Sequence, residues 1–347
     1  MTHSRNNIRV LIVDDSALVR DMIRAMLESD PDIVVVGEAV NGVEAIAKAA
    51  SLKPDIITMD IEMPVMGGLE AIGRIIDEQP VPILVVTSLT GVRTAFAAMA
   101  KGALDIIEKP DITPENIKIL IQKIRYLAKV DVSAHLQTTG RQSRPVSTCG
   151  AVIKKNFSKG GIVAVAASTG GPQAIRTVLS HLSATFPFPI AISQHICEGF
   201  TQGMVDWLNS GTPLTVVLAE HGAGLTPGHV YVNPAEYSMT ISPQGRILLG
   251  DRDAVQIYRP SCNTLLSSVA AAYGKVAIGL IMSGMGDDGV TGMRAIKQAG
   301  GLTLAQDAAS SVVFGMNRVA IECGCIDRVL SLGDIPAELI QLTGDSR

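Results

Sequence analysis

Three aspartates, a threonine and a lysine stand where short apolar runs end. Asp14 and Asp15 follow Ile8 to Val13, Asp60 follows Asp55 to Met59, Thr87 closes Ile83 to Thr87, and Lys109 lies just beyond Leu104 to Ile107. If those runs are parallel strands, the five side chains meet at one sheet edge, where the ligands of doubly wound folds collect. Carboxylates gathered there repel one another unless they share a divalent cation, and an all-oxygen set with room for water suits Mg²⁺. One carboxylate can then act as a nucleophile on a phosphoryl group, with Lys109 pairing the incoming charge and the Thr87 hydroxyl hydrogen-bonding the new oxygens. A single aspartate after a strand is usually a turn residue or helix cap, and Asp15-Ser16 would serve simply to start a helix. Five suitable residues in this order say more than any one of them.

A second set lies further along. Gly161 to Ala167 runs into Ser168-Thr-Gly-Gly-Pro172, which leaves Ser168 between a strand end and a helical stretch; this would equally suit a plain helix cap or a weak phosphate loop. Serine is a poor nucleophile without a base. Topology favours His195, directly after Ile190 to Ser193 and Gln194, over His221, which follows Leu214 to Leu218. A carboxylate to orient the base is available in Asp287 and Asp288, beyond the strand Val276 to Met282, and in Asp307 after Leu302 to Ala305; position alone does not choose among them.

The elements that must position these residues divide the chain in two. Up to about residue 127, apolar runs alternate with amphipathic stretches, the last from Pro114 to about Leu127, and uniformly apolar strands each followed by a helix imply a parallel sheet covered on both faces. From 128 to 160 periodicity gives way to Ser, Thr, Gln, Gly and basic residues, read as a linker. A second α/β series occupies 161 to 347, with a further strand at Ile326 to Val329 and an antiparallel β insert expected from Gly228 to Leu249, where Asn233-Pro234 and Pro243-Gln-Gly245 signal turns.

Composition agrees with two aliphatic cores: of 347 residues 47% are hydrophobic and only 3% aromatic. The net charge of −4 conceals −5 over 1–127, +5 over 128–160 and −4 over 161–347, so neither α/β half has the basic footprint of a nucleic-acid-binding domain. No apolar run approaches the roughly 18 residues a membrane helix needs, which argues against membrane insertion. The five cysteines are scattered without a C-x-x-C pair, so neither a disulfide framework nor a thiolate zinc site is suggested, and with no recognisable secretory signal a cytoplasmic location is expected.

Ile12-Val-Asp-Asp-Ser16, Met59-Asp-Ile-Glu-Met-Pro64 with Gly67-Gly68, Thr87-Ser88 and Glu108-Lys-Pro110 make residues 1–127 resemble a response-regulator receiver domain. The resemblance implies a flavodoxin-like fold, Asp60 accepting phosphate from a CheA-type sensor histidine kinase, and Mg²⁺ held by Asp14, Asp15 and Asp60. Ile106 departs from the aromatic residue receivers commonly carry there. Ala167-Ser-Thr-Gly-Gly-Pro172, Gln194-His195, Arg259-Pro-Ser261, Ser283-Gly-Met-Gly-Asp-Asp-Gly289 and Val313-Phe-Gly-Met316 make 161–347 resemble the catalytic domain of the chemotaxis protein-glutamate methylesterase (CheB) family. That implies a Rossmann-like esterase domain with Ser168 as nucleophile, His195 as base, Asp288 as orienting carboxylate, and oxyanion stabilisation near Thr169 and Met285. The esterase step needs no cofactor. Methylated glutamates, and glutamines, of chemoreceptors would be the substrates, a monomer is the expected state, and the receiver would inhibit the esterase until Asp60 is phosphorylated. Cys197 and Cys262-Asn263 depart from the family pattern and are expected to flank the cleft and bear on receptor choice.

Overall fold

The computed structural model describes residues 7–133, 160–251 and 258–345. Most of the expected linker, 134–159, lies outside the described residues. The chain divides into two compact units, Met1–Leu136 and Gln137–Arg347.

In the first unit, β1 (Ile8–Val13), β2 (Ile33–Ala39), β3 (Ile56–Met59), β4 (Ile83–Thr87) and β5 (Asp105–Glu108) form a parallel sheet in the order β2-β1-β3-β4-β5. Helices α1 (Ala17–Glu28), α2 (Gly42–Leu52), α3 (Gly68–Glu78), α4 (Val92–Ala100) and α5 (Pro114–Leu127) connect and follow the strands. β3 and β4 are buried along their whole length, as expected of inner parallel strands, and Phe96, Ile72 and Leu120 are buried on the helices. Ser16 caps α1 and Thr113 caps α5 by accepting backbone N–H groups, so the capping role of the residue after Asp15 is real and coexists with the acidic cluster. Asp60 is pinned at the end of β3 by backbone contact with α3: a Cβ on Gly68 would sit 1.9 Å from the Asp60 carbonyl oxygen, so only glycine fits there.

The second unit is built on β6 (Ile162–Ala167), β7 (Ile190–Gln194), β8 (Thr215–Leu218), β9 (His229–Val232), β12 (Ala277–Ile281), β13 (Leu302–Gln306) and β14 (Arg328–Leu330), in the order β14-β13-β12-β6-β7-β9-β8 with every pair parallel. The antiparallel insert is smaller than expected, consisting of β10 (Ser238–Ile241) paired with β11 (Ile247–Gly250). His229–Val232 instead enters the main sheet between β7 and β8. Its last three residues are buried, and a run apolar on both faces fits a covered sheet better than a one-sided hairpin. α6 (Gly171–Leu179) follows β6, α7 (Thr201–Asn209) follows β7, α8 (Cys262–Tyr273) precedes β12, and α9 (Val290–Gln298) follows it. α10 (Met316–Glu322) and α11 (Ile335–Thr343) complete the unit. The Ala-rich β6 lets Leu265, Leu266 and Val269 of α8 and Met293 of α9 close over the sheet. After β6 the chain moves outward through β7 to β8 and then returns to lay β12 on the other side of β6. A crevice therefore opens between β6 and β12 at their carboxyl ends.

Phe96 is 1% exposed in the core of the first unit. Phe96→Ala should lower that unit's stability by about 3–5 kcal/mol, read as faster hydrogen exchange in β1, β3 and β4.

Candidate active site

Ser168 and His195 are set side by side by strand register. Ala167 of β6 is the partner of Gln194 of β7, and the His195 N–H donates to the Ala167 carbonyl at 3.0 Å. The next residues, Ser168 and His195, thus leave neighbouring parallel strands about 4.8 Å apart. The Ser168 backbone is clamped: its N–H donates to Ser283 O at 3.0 Å, and its carbonyl accepts from Gln194 Nε2 at 2.8 Å and Gly171 N at 2.7 Å. The turn into α6 needs Gly170, whose φ is +75° and where a Cβ would lie 2.5 Å from Val312 Cβ. Among the described residues the Ser168 hydroxyl makes no hydrogen bond.

The third residue comes from the other side of β6. β12 pairs with β6 up to Ile281↔Ala166, and the loop that follows carries Asp288 to 2.8 Å (Oδ2) from His195 Nε2. Asp288 is only 3% exposed. Its charge is met by the N-terminus of α8: Cys262 N donates at 2.6 Å and Asn263 N at 2.9 Å, joined by Gly289 N at 3.0 Å and Ser261 Oγ at 3.4 Å. Burial works against the ionised form, but the hydrogen bond from His195 and the backbone donors outweigh it and hold the carboxyl below its ordinary value. An ionised carboxylate only accepts, so His195 must carry its proton on Nε2, which leaves Nδ1 as the bare nitrogen.

The competing residues fall away. Asp287 is exposed and meets the Tyr258 hydroxyl at 3.4 Å, Asp307 accepts from Ser310 in a turn, and His221 Nδ1 engages the backbone of Leu249. Thr169 immediately follows Ser168 and is buried. The Met285 N–H has no protein partner among the described residues, as an oxyanion donor requires. Three contributors went unread in the sequence. Tyr258 stacks on the His195 ring with centroids 5.0 Å apart and planes 11° apart; Gln194 holds the Ser168 carbonyl; Ser261 caps α8. The adjacent Arg259-Pro-Ser261 motif was the available signal. Cys262 and Asn263 do not flank the cleft as expected. They touch the triad itself: both N–H groups bind Asp288, and Cys262 Sγ lies 3.5 Å from His195 Nε2. The first residues of α8 have nowhere else to be once Asp288 occupies the helix terminus.

In the first unit, Asp14, Asp15 and Asp60 can each offer a carboxylate oxygen, all within 4.8 Å of one another. Lys109 Nζ sits 2.9 Å from Asp14 Oδ2 and 2.8 Å from Asp60 Oδ2. Burial raises the Asp60 carboxyl above its ordinary value despite Lys109. Burial also disfavours the Lys109 ammonium, but its bonds to Asp14 and Asp60 more than compensate, and its pKa rises. The Thr87 hydroxyl is buried and unpartnered among the described residues, a donor waiting for an acceptor. Ile106 lies on β5, partly buried.

Comparison with known proteins agrees with this geometry. Residues 163–339 match the family model described as CheB methylesterase, and residues 10–122 match the response regulator receiver domain. The chain is 45% identical to protein-glutamate methylesterase/protein-glutamine glutaminase 3 of Paramagnetospirillum magneticum, over 99% of this chain and 98% of that protein. It is 41% identical to protein-glutamate methylesterase/protein-glutamine glutaminase 2 of Anaeromyxobacter dehalogenans, over 97% of each. The crystal structure of the Thermotoga maritima CheB methylesterase catalytic domain matches with a TM-score of 0.52 and 36% identity, covering 54% of this chain and all of that one. With two α/β units, a receiver-type acidic cluster in one and a serine, histidine and aspartate at the crevice of the other, the chain belongs to the CheB methylesterase family.

Proposed function

We propose that the chain is a phosphorylation-controlled serine hydrolase that removes methyl esters from γ-glutamyl side chains of chemoreceptors and deamidates their glutamines. The observation that carries this reading is the buried Asp288–His195 hydrogen bond beside Ser168. In it Ser168 Oγ attacks the ester carbonyl while its proton passes to His195 Nδ1. Asp288 keeps the ring oriented and stabilises the imidazolium that forms. The N–H groups of Thr169 and Met285 receive the developing oxyanion. His195 then returns the proton to the leaving methanol, or to ammonia from a glutamine, and a water activated by the same nitrogen releases glutamate and restores Ser168. No step requires a cofactor.

Residues 1–127 serve as the receiver and 161–347 as the hydrolase. Asp60 is the phosphoryl acceptor, supplied by a CheA-type histidine kinase. The all-oxygen donor set of Asp14, Asp15 and Asp60 fits Mg²⁺, which when bound supplies neutralising charge to the phosphoryl oxygens. Lys109 pairs with the same charge and Thr87 donates its free hydroxyl to it. The family relationship supports inhibition by the unphosphorylated receiver. Among the described residues no helix is long and apolar enough to cross a membrane.

Ser168→Ala should abolish methanol release from methylated receptors while Asp60 still takes up phosphate; comparable turnover would sink the assignment. Asp288→Asn should lower kcat by a factor on the order of 10³–10⁴, through the wrong His195 tautomer, with substrate binding little changed. Deleting residues 1–127 should raise esterase activity, and Asp60→Asn should prevent its stimulation by phosphodonor. Activity that is unchanged or lower on deletion would remove the inhibitory role.

A further inference from the structure

A cysteine thiol lies against the pair that would drive the chemistry. Cys262 Sγ is 3.5 Å from His195 Nε2, the nitrogen that also meets Asp288 Oδ2 at 2.8 Å, and one ligand atom from each of the three residues lies within 4.8 Å of the others. We propose that His195, Cys262 and Asp288 form a binding site for a borderline-soft divalent transition metal, Zn²⁺ above all, and that its occupancy switches off the base that serves Ser168.

The donor set is one nitrogen, one sulfur and one oxygen, the combination zinc takes, whereas Mg²⁺ and Ca²⁺ demand oxygens throughout. Zinc bonds of about 2.0–2.3 Å to such atoms place tetrahedral ligands roughly 3.3–3.7 Å apart. The Sγ–Nε2 separation already meets that spacing, and the Nε2–Oδ2 pair must open by only about half an ångström. The outer shell exists as well: Asp288 is oriented by Asn263 N and Gly289 N on Oδ1 and by Cys262 N on Oδ2, and backbone donors of this kind fix a ligating carboxylate. His195, whose side chain is 12% exposed, is the edge from which an ion would enter.

The consequence follows from proton positions. Before binding, Nε2 carries the ring proton and Nδ1 is bare. An ion on Nε2 requires the other tautomer, with the proton on Nδ1, while the Cys262 thiol gives its proton to solvent and becomes the thiolate ligand. One proton is released per ion, and nothing is oxidised or reduced. Nδ1, now protonated, has no lone pair for the Ser168 proton. The inhibitory consequence rests on the esterase reading; the site itself does not.

The test uses the full chain with Co²⁺ as a spectroscopic stand-in and Zn²⁺ as competitor. Co²⁺ should produce a thiolate-to-metal absorption in the near ultraviolet that Zn²⁺ displaces and that Cys262→Val abolishes; the oxygen ligands of the receiver cannot produce it. In parallel, the Zn²⁺ concentration that halves ester hydrolysis should rise at least roughly tenfold in Cys262→Val, each protein being compared with its own metal-free rate. No band in the unaltered chain, or the same band in Cys262→Val, overturns the site even if the protein proves not to be an esterase. A band that depends on Cys262 with unchanged zinc sensitivity overturns the inhibitory role. If circular dichroism shows Cys262→Val unfolded, Cys262→Ala is judged by the same outcomes.

Discussion

A carboxylate that is almost wholly removed from water must have its charge met by fixed donors, and the active-site half of this protein is arranged around that requirement. Asp288 draws on four backbone and side-chain donors besides His195. Two of these are the first N–H groups of α8, which lack intrahelical partners in any helix. The start of α8 is thereby fixed against the loop leaving β12, and β12 is fixed beside β6 by register. Once those are placed, His195 reaches Asp288 from β7, across the end of β6, and Ser168 leaves β6 beside the pair. The strand order β12-β6-β7 thus brings the Asp288 loop, Ser168 and His195 to one sheet edge.

The receiver half applies the same topological rule to the opposite electrostatic problem. There, too, the working groups stand at the carboxyl ends of neighbouring parallel strands, β1, β3, β4 and β5. But Asp14 and Asp60 face each other without a helix terminus between them, and a single cation, Lys109, bridges both. Such a cluster is charged, under-compensated and open to an additional cation or phosphoryl group. Asp288, met by fixed backbone donors, instead holds its neighbour His195 in place.

Much of this was legible in the sequence because the signals are local. Apolar runs of strand length ending in Asp, Thr, Lys, Ser or His determine both which residues share an edge and that the sheet is parallel. What remained hidden is what depends on the third dimension. His229–Val232 looked like the first strand of the antiparallel insert, since the turn signal that follows it says nothing about which partner it pairs with; burial on both faces decides for the main sheet. Asp287, Asp288 and Asp307 could not be separated by position, because the difference between them is which one the N-terminus of α8 can reach. For the same reason Cys262 and Asn263 read as cleft neighbours when they are contacts of the triad.

The pocket formed by Asp288, His195 and Cys262 also shows which of its two acidic groups carries the charge. Burial, reinforced by the charge of Asp288, pushes the Cys262 thiol well above its ordinary pKa. Without a cation between them two anions cannot coexist at this spacing in so dry a site, and the helix terminus settles which of the two is ionised. With no metal bound the thiol therefore stays protonated and does not draw the His195 proton away from Asp288. Ser168 leaves β6 beside this pair, its backbone held by Ser283 O and Gln194 Nε2. Which of the two groups beside His195 holds the charge is therefore set by where α8 begins.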